Sequence, residues 1–154
     1  MSDPNTKIPP PRTTVRIPTL GGEELDAWFY EPAGQGPHPA VVMGHGLGAV
    51  KAGGLAPFAE RFCREGFAVV AIDYRQWGAS SGWPRDELNV PRQRQDYSTV
   101  IGWAAAHPNI DAQRIFAWAP HSPACMSPHS PRRTHDLREP SPNAHSSTAS
   151  RGQR

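Results

Sequence analysis

The sequence predicts an α/β fold: a parallel sheet with helices on its faces, entered through a β-hairpin and followed by a disordered tail. Three observations carry this. The runs at residues 40–43, 67–72 and 115–118 are continuously apolar, as strands covered on both faces are. Stretches of helical spacing separate them, and strands alternating with helices require a parallel sheet with right-handed crossovers. The composition then breaks near Ala119. Every Val, Ile, Trp, Tyr and Phe lies in residues 1–119, whereas residues 120–154 hold six Pro, seven Ser, four His and five Arg. Such a segment buries too little apolar surface to offset its ordering entropy.

In chain order, residues 1–12 are polar and carry Pro9, Pro10 and Pro11, a flexible lead-in. Thr13-Thr14-Val15-Arg16-Ile17-Pro18 alternates with period two, Gly21-Gly22 turns, and Leu25-Asp26-Ala27-Trp28-Phe29-Tyr30 returns, which makes a hairpin. A Pro/Gly loop over 32–37 leads to the first buried run. Leu55, Phe58, Ala59, Phe62 and Cys63 fall at helical spacing, and Gly66 marks that helix's end. Cys63 reads as a small core hydrophobe. After the strand at 67–73 comes a loop from Tyr74 to about Val90. Pro91 then opens a helix with Tyr97, Val100, Ile101 and Ala104 on one face, ending near His107-Pro108. Arg114-Ile115-Phe116-Ala117-Trp118 is the last strand. The body is therefore 13–119, one domain, in the order β-hairpin then β-α-β-α-β.

Charge excludes some functions. The body carries eleven Lys/Arg against twelve Asp/Glu, and the net +2 comes from the tail. No folded basic face points to nucleic acid. No run approaches membrane-spanning length and the N-terminus lacks an apolar signal core, so no membrane and a cytoplasmic location are expected. Two cysteines are too few for a disulfide scaffold. His121, Cys125, His129 and His135 have loosely metal-like spacing. Pro123, Pro128 and Pro131 interrupt it and no second cysteine pairs, so no metal site is expected.

Ligands of parallel sheets bind at the carboxyl ends of the strands. Three segments lie there: Gly44-His45-Gly46-Leu47-Gly48, residues 73–82, and whatever follows Trp118. Glycines after a strand let backbone N–H groups face a cleft, which suits a developing oxyanion. The first segment also satisfies the dinucleotide pattern G-x-G-x-x-G/A with Ala49, and Asp73 ends the next strand where a ribose-binding acid would sit. Against a dinucleotide, residues 50–54 separate the turn from its helix, so no helix N-terminus meets a pyrophosphate. A plainer alternative makes the glycines a tight turn, with Asp73 capping or pairing locally with Arg75.

The hairpin, the His-Gly turn and Asp73-Tyr74-Arg75-Gln76-Trp77-Gly78-Ala79-Ser80 together resemble the N-terminal part of an α/β-hydrolase sheet. Within that superfamily residues 13–119 are similar to dienelactone-hydrolase-like and Xaa-Pro-peptidase-like (S15) enzymes and to related polyketide acyltransferases. The resemblance implies hydrolysis or transfer of ester, thioester or amide acyl groups through an acyl-serine, a small-molecule acyl substrate and no cofactor. It leaves the oligomeric state open. It makes the Leu47 N–H an oxyanion-hole donor within an oxyanion turn of His45, Gly46 and Leu47, with His45 shaping the turn rather than acting as base. It makes Asp73, Tyr74, Arg75, Gly78 and Ser80 a loop beside the active site. Arg75 itself reads as a loop-ordering hydrogen-bond donor rather than a catalytic group.

Gly78-Ala79-Ser80-Ser81-Gly82 matches the nucleophile-elbow pattern G-x-S-x-G but lacks the strand immediately before and the helix immediately after it, so Ser80 is a weak nucleophile. Trp77 and Trp83 read as packing under this loop rather than lining a pocket. The resembled enzymes place the serine after the fifth strand, a position that falls on His121. Here Ala119-Pro120-His121-Ser122-Pro123-Ala124-Cys125-Met126 follows. Ser122 is a poor candidate, because Pro123 has no N–H to offer an oxyanion. Restoring one G ahead of codon 119 regroups the codons to permit Gly-Thr-Ser-Phe-Ala-Gly-Met-His, with serine at position 121. The expectation is therefore a frame-shifted tail from residue 120 and a truncated chain without a working triad. A non-catalytic binding module is the class-level alternative.

Overall fold

A computed structural model describes residues 8–120. The elements are β1 (Arg12–Pro18), β2 (Glu24–Tyr30), β3 (His38–Gly44), a 3-10 turn (Lys51–Gly53), α1 (Ala56–Arg64), β4 (Ala68–Ile72), α2 (Val90–Ala106) and β5 (Ile110–Trp118). They form one five-stranded sheet in the order β1-β2-β4-β3-β5. β1 and β2 pair antiparallel as a hairpin, and β2 joins β4 antiparallel. β4, β3 and β5 run parallel. The order expected from the sequence is the order observed. Among the described residues no helix is long and apolar enough to cross a membrane.

The strand period sorts residues onto two faces. Ala68, Val70 and Ile72 of β4 join Ile17, Leu25, Phe29 and Val42 under Tyr97, Val100 and Ala104 of α2. Val69 and Ala71 join Tyr30, Val41 and Met43 under Leu55, Ala59 and Cys63 of α1. All five β4 residues are buried, and each buried valine contributes about 1.5–3 kcal/mol relative to exposure. Cys63 is buried as expected, and burial pushes its thiol pKa up.

Local signals set the helix ends. Gly66 takes φ +92° after α1, where its N–H donates to the Cys63 carbonyl and that of Phe67 to the Phe62 carbonyl. The Asn89 side chain accepts from the Arg92 N–H to cap α2, with Pro91 in the first turn.

Some boundaries and contacts differ from the sequence reading. β1 starts at Arg12, inside the expected lead-in, and β5 starts at Ile110 rather than Arg114. The extension is irregular: His38 pairs with Ile110 but Ala40 with Ile115, so no alternation announces it. Phe58, expected on the core face of α1, is half exposed. Trp83 is largely exposed instead of packing under its loop.

Among the described residues β5 has a neighbour on one edge only. Its apolar end is poorly covered, with Phe116 53% exposed. Open apolar edges recruit other chains. The 154-residue chain is expected to self-associate in size-exclusion chromatography, and Phe116→Lys should raise the monomer fraction. A monodisperse parent chain would contradict this.

Candidate functional site

The turn after β3 and the end of β5 meet at the carboxyl edge of the sheet. A Cβ on Gly46 would lie 3.0 Å from the Pro120 carbonyl oxygen. Beside them is a cleft of about 220 Å³ whose lining includes His45, Gly46, Leu55, Phe58 and Pro120. Within the turn the Ala49 N–H donates to the Gly46 carbonyl at 3.2 Å. The Leu47 N–H takes no partner among the described residues, and the Leu47 residue is 63% exposed. Gly44 has no substitute for steric reasons, because a Cβ there would fall 2.3 Å from the Tyr74 hydroxyl and 2.7 Å from that of Tyr97. The Tyr97 hydroxyl in turn donates to the Trp118 carbonyl at 2.9 Å, tying α2 to the end of β5.

His45 is buried behind the turn, edge-on to the Tyr74 ring with centroids 4.6 Å apart. Its Nε2 accepts from the Tyr74 N–H at 3.5 Å. The proton therefore belongs on Nδ1, which donates to the Gly46 carbonyl at 3.0 Å. Both ring nitrogens are occupied, an arrangement suited to shaping the turn. Burial, which penalises the imidazolium, holds the His45 pKa below its ordinary value of 6.5. Near and below pH 6.5 the unfolded chain then binds more protons here than the folded one, so stability rises with pH and is lost as pH falls through that value. The Tm is expected to drop between about pH 7.5 and about pH 5.5, and the drop should be smaller in His45→Asn. Equal drops in both proteins would contradict it.

Asp73 follows β4 and is 2% exposed. Its carboxylate accepts the Lys51 N–H at 2.7 Å, the Lys51 ammonium at 2.5 Å and the Ala79 N–H at 3.0 Å. The Lys51 ammonium also meets Asp26 Oδ1 of β2 at 2.5 Å and lies 5.3 Å over the Trp28 ring. Gly78, at φ +52°, leaves the space the Asp73 carboxylate fills. Asp73 thus pairs with Lys51 and not with Arg75; of the plainer alternative, local capping or pairing with Arg75, the capping is present through the Ala79 N–H and the pairing is not. Arg75 reaches across to α2, its N–H and Nε donating to Asp96 at 2.9 and 2.5 Å. It thereby ties the loop to α2. Tyr74 is buried against Gly44 and His45.

Ser80 is 2% exposed. Its hydroxyl donates to the Asp73 carbonyl at 2.6 Å and accepts the Asp26 N–H at 2.8 Å. Buried and doubly bonded, it staples the loop to β2 and cannot meet a substrate. Trp77 packs below, its Nε1–H donating to the Glu87 carbonyl at 3.0 Å. Geometry also disfavours a dinucleotide: α1 begins at Ala56, well after the turn, and Asp73 is taken by Lys51. His121, Ser122, Cys125, His129 and His135 lie outside the described residues.

Lys51, Asp26 and Asp96 went unnoticed in the sequence. Nothing local distinguishes them from solvated surface charges, and their partners are 21 to 25 residues away along the chain.

Comparison with known proteins agrees with this architecture. The quorum-quenching protein AidA of Acinetobacter baumannii is 39% identical over 62% of this chain and 31% of its own length. The thiohydrolase aneE of Aspergillus aculeatus is 35% identical over 68% of this chain and 32% of its own. The chain spans about a third of the length of the curated relatives it matches. The crystal structure of the alpha/beta hydrolase GrgF from Penicillium sp. sh18 superposes with a TM-score of 0.67 at 28% identity, covering 71% of this chain and 37% of that one. The family model described as X-Pro dipeptidyl-peptidase (S15 family) matches residues 21–125. The chain belongs to that hydrolase family and has the fold of the N-terminal part of an α/β-hydrolase.

Proposed function

We propose that this chain supplies the oxyanion-stabilising side of a serine-hydrolase site acting on small-molecule esters, thioesters or amides. The observation that carries the proposal is the glycine turn lying against the end of β5, with the Leu47 N–H free of partners among the described residues. In the reaction proposed, a serine after β5 attacks the acyl carbonyl while a base takes its proton. The oxyanion accepts from the Leu47 N–H. The leaving alcohol, thiol or amine departs protonated, and water or a second acceptor then releases the acyl group.

We further propose that the 154-residue chain lacks this nucleophile. Position 121 is His121, with Pro120 and Pro123 around it, and we attribute this break to a change of reading frame at codon 119. A fluorophosphonate probe tests both statements. The chain is expected to remain unlabelled, whereas the product of a gene with one base restored ahead of codon 119 should label at position 121. Labelling of Ser122, Ser80 or any other serine of the 154-residue chain would overturn its inactivity. A nucleotide sequence with no homologous frame downstream would remove the frame change.

A further inference from the structure

We propose that Lys51 is the positioning residue of the glycine turn, holding its N–H groups toward the cleft; this rests on the reading of that turn as the oxyanion element. Gly44, Gly46 and Gly48 all fall within five residues, and glycine supplies no stiffness of its own. Donors that stabilise an oxyanion must nevertheless be fixed before the reaction. Beyond the Ala49–Gly46 hydrogen bond within the turn, the rigidity comes from its two ends. At the first end, β3 runs into Gly44 under the two tyrosine hydroxyls, and the His45 ring braces the Gly46 carbonyl.

Lys51 is the second end. Its backbone N–H and its ammonium grip the two oxygens of one carboxylate, Asp73 Oδ1 and Oδ2, at 2.7 and 2.5 Å. The ammonium continues to Asp26 on β2 at 2.5 Å, and Arg16 of β1 meets the other Asp26 oxygen at 3.2 Å. One residue thus ties the turn to β4 and through β2 to the hairpin. The same Asp73 carboxylate accepts the Ala79 N–H from the loop after β4, so both loops at this edge share one anchor.

Lys51 does not act on substrate itself. Its side chain is 4% exposed, with both carboxylates on its ammonium, and the cleft lining includes Val50, Gly53 and Gly54 but not Lys51. A buried ammonium is strongly destabilising unless it is paired. A lysine kept there needs two carboxylates placed to receive it, and all three groups are present. A displacement of about 1 Å at such a donor costs up to about 100-fold in function, which is the scale on which this anchor matters.

The test titrates the full, dilute 154-residue chain with phenylphosphonate, a tetrahedral oxyanion mimic, and follows backbone amide shifts by NMR. The expected result is saturable shifts at Gly46, Leu47 and Gly48. Lys51→Met should weaken binding about tenfold with the β4 and α2 resonances in place, and Lys51→Arg should recover part of the loss. No shifts in the parent chain would overturn the oxyanion reading and this proposal with it. Equal affinity in the parent chain and Lys51→Met would overturn the positioning role alone. If Lys51→Met does not fold, Asp26→Asn carries the test, because it keeps the Lys51–Asp73 contact and loses the outer anchor. It should bind about threefold more weakly, and unchanged binding overturns the proposal.

Discussion

Replacing Asp96 by alanine is expected to lower the folded protein's stability by about 3–5 kcal/mol, the usual cost of leaving one member of a buried ion pair alone. Asp96 is completely buried on α2, and the Arg75 side chain it holds is 10% exposed. The pair fixes the first residues of the loop after β4 against the helix across the sheet edge. Arg75 keeps other partners, the Gln95 side chain at 3.0 Å, the Arg92 carbonyl at 3.4 Å and the Glu23 carboxylate at 3.7 Å, so the loss should fall toward the lower end.

Burial raises the Asp96 pKa above the ordinary carboxylate value despite the hydrogen bonds and charge of Arg75. A carboxyl with a raised folded pKa favours the folded state in its protonated form, and that contribution is lost as pH rises through the folded pKa. Asp96→Asn removes the charge and keeps one acceptor oxygen. It should therefore cost less than the alanine change, about 1–3 kcal/mol. Urea unfolding at neutral pH orders the three proteins. A change of under about 1 kcal/mol in Asp96→Ala would mean that the pair does not hold the loop.

Gly78→Ala is expected to be comparably damaging for a different reason. At φ +52° an added Cβ would fall 2.2 Å from Asp73 Oδ2. The left-handed backbone costs about 1–2 kcal/mol for a residue with a Cβ. Moving the carboxylate off Lys51 adds about 3 kcal/mol by breaking a buried pair. Gly102→Ala is the control: it lies in α2 with nothing within 4 Å of an added Cβ, and it should stabilise by about 0.5–1 kcal/mol. Thermal unfolding separates the two. A parent-like Tm for Gly78→Ala would show that Asp73 does not occupy that space.

These two sites mark how far the site was legible beforehand. Gly78 and Asp73 stand five residues apart in one loop, so the sequence allowed both to be named as loop residues. It left Asp73 either capping locally or pairing with Arg75; the capping is met by the Ala79 N–H, whereas the charge partner is Lys51, farther along the chain than Arg75. Ser80 carries a pattern that reads as a nucleophile, and only its burial between Asp73 and Asp26 shows it to be a staple.

The sequence by itself determined the element types and their order. A strand's period of two and a helix's period of 3.6 are properties of neighbouring residues, and Gly66 and Pro91 are local stop and start signals. The tertiary structure alone decided that β4 lies between β2 and β3, and that Lys51, Asp26 and Asp73 form one buried cluster. It also decided that Arg75 belongs to Asp96. Such choices depend on which distant charges the folded sheet brings within reach, because a buried charge is stable only beside its partner. No local spacing records that distance.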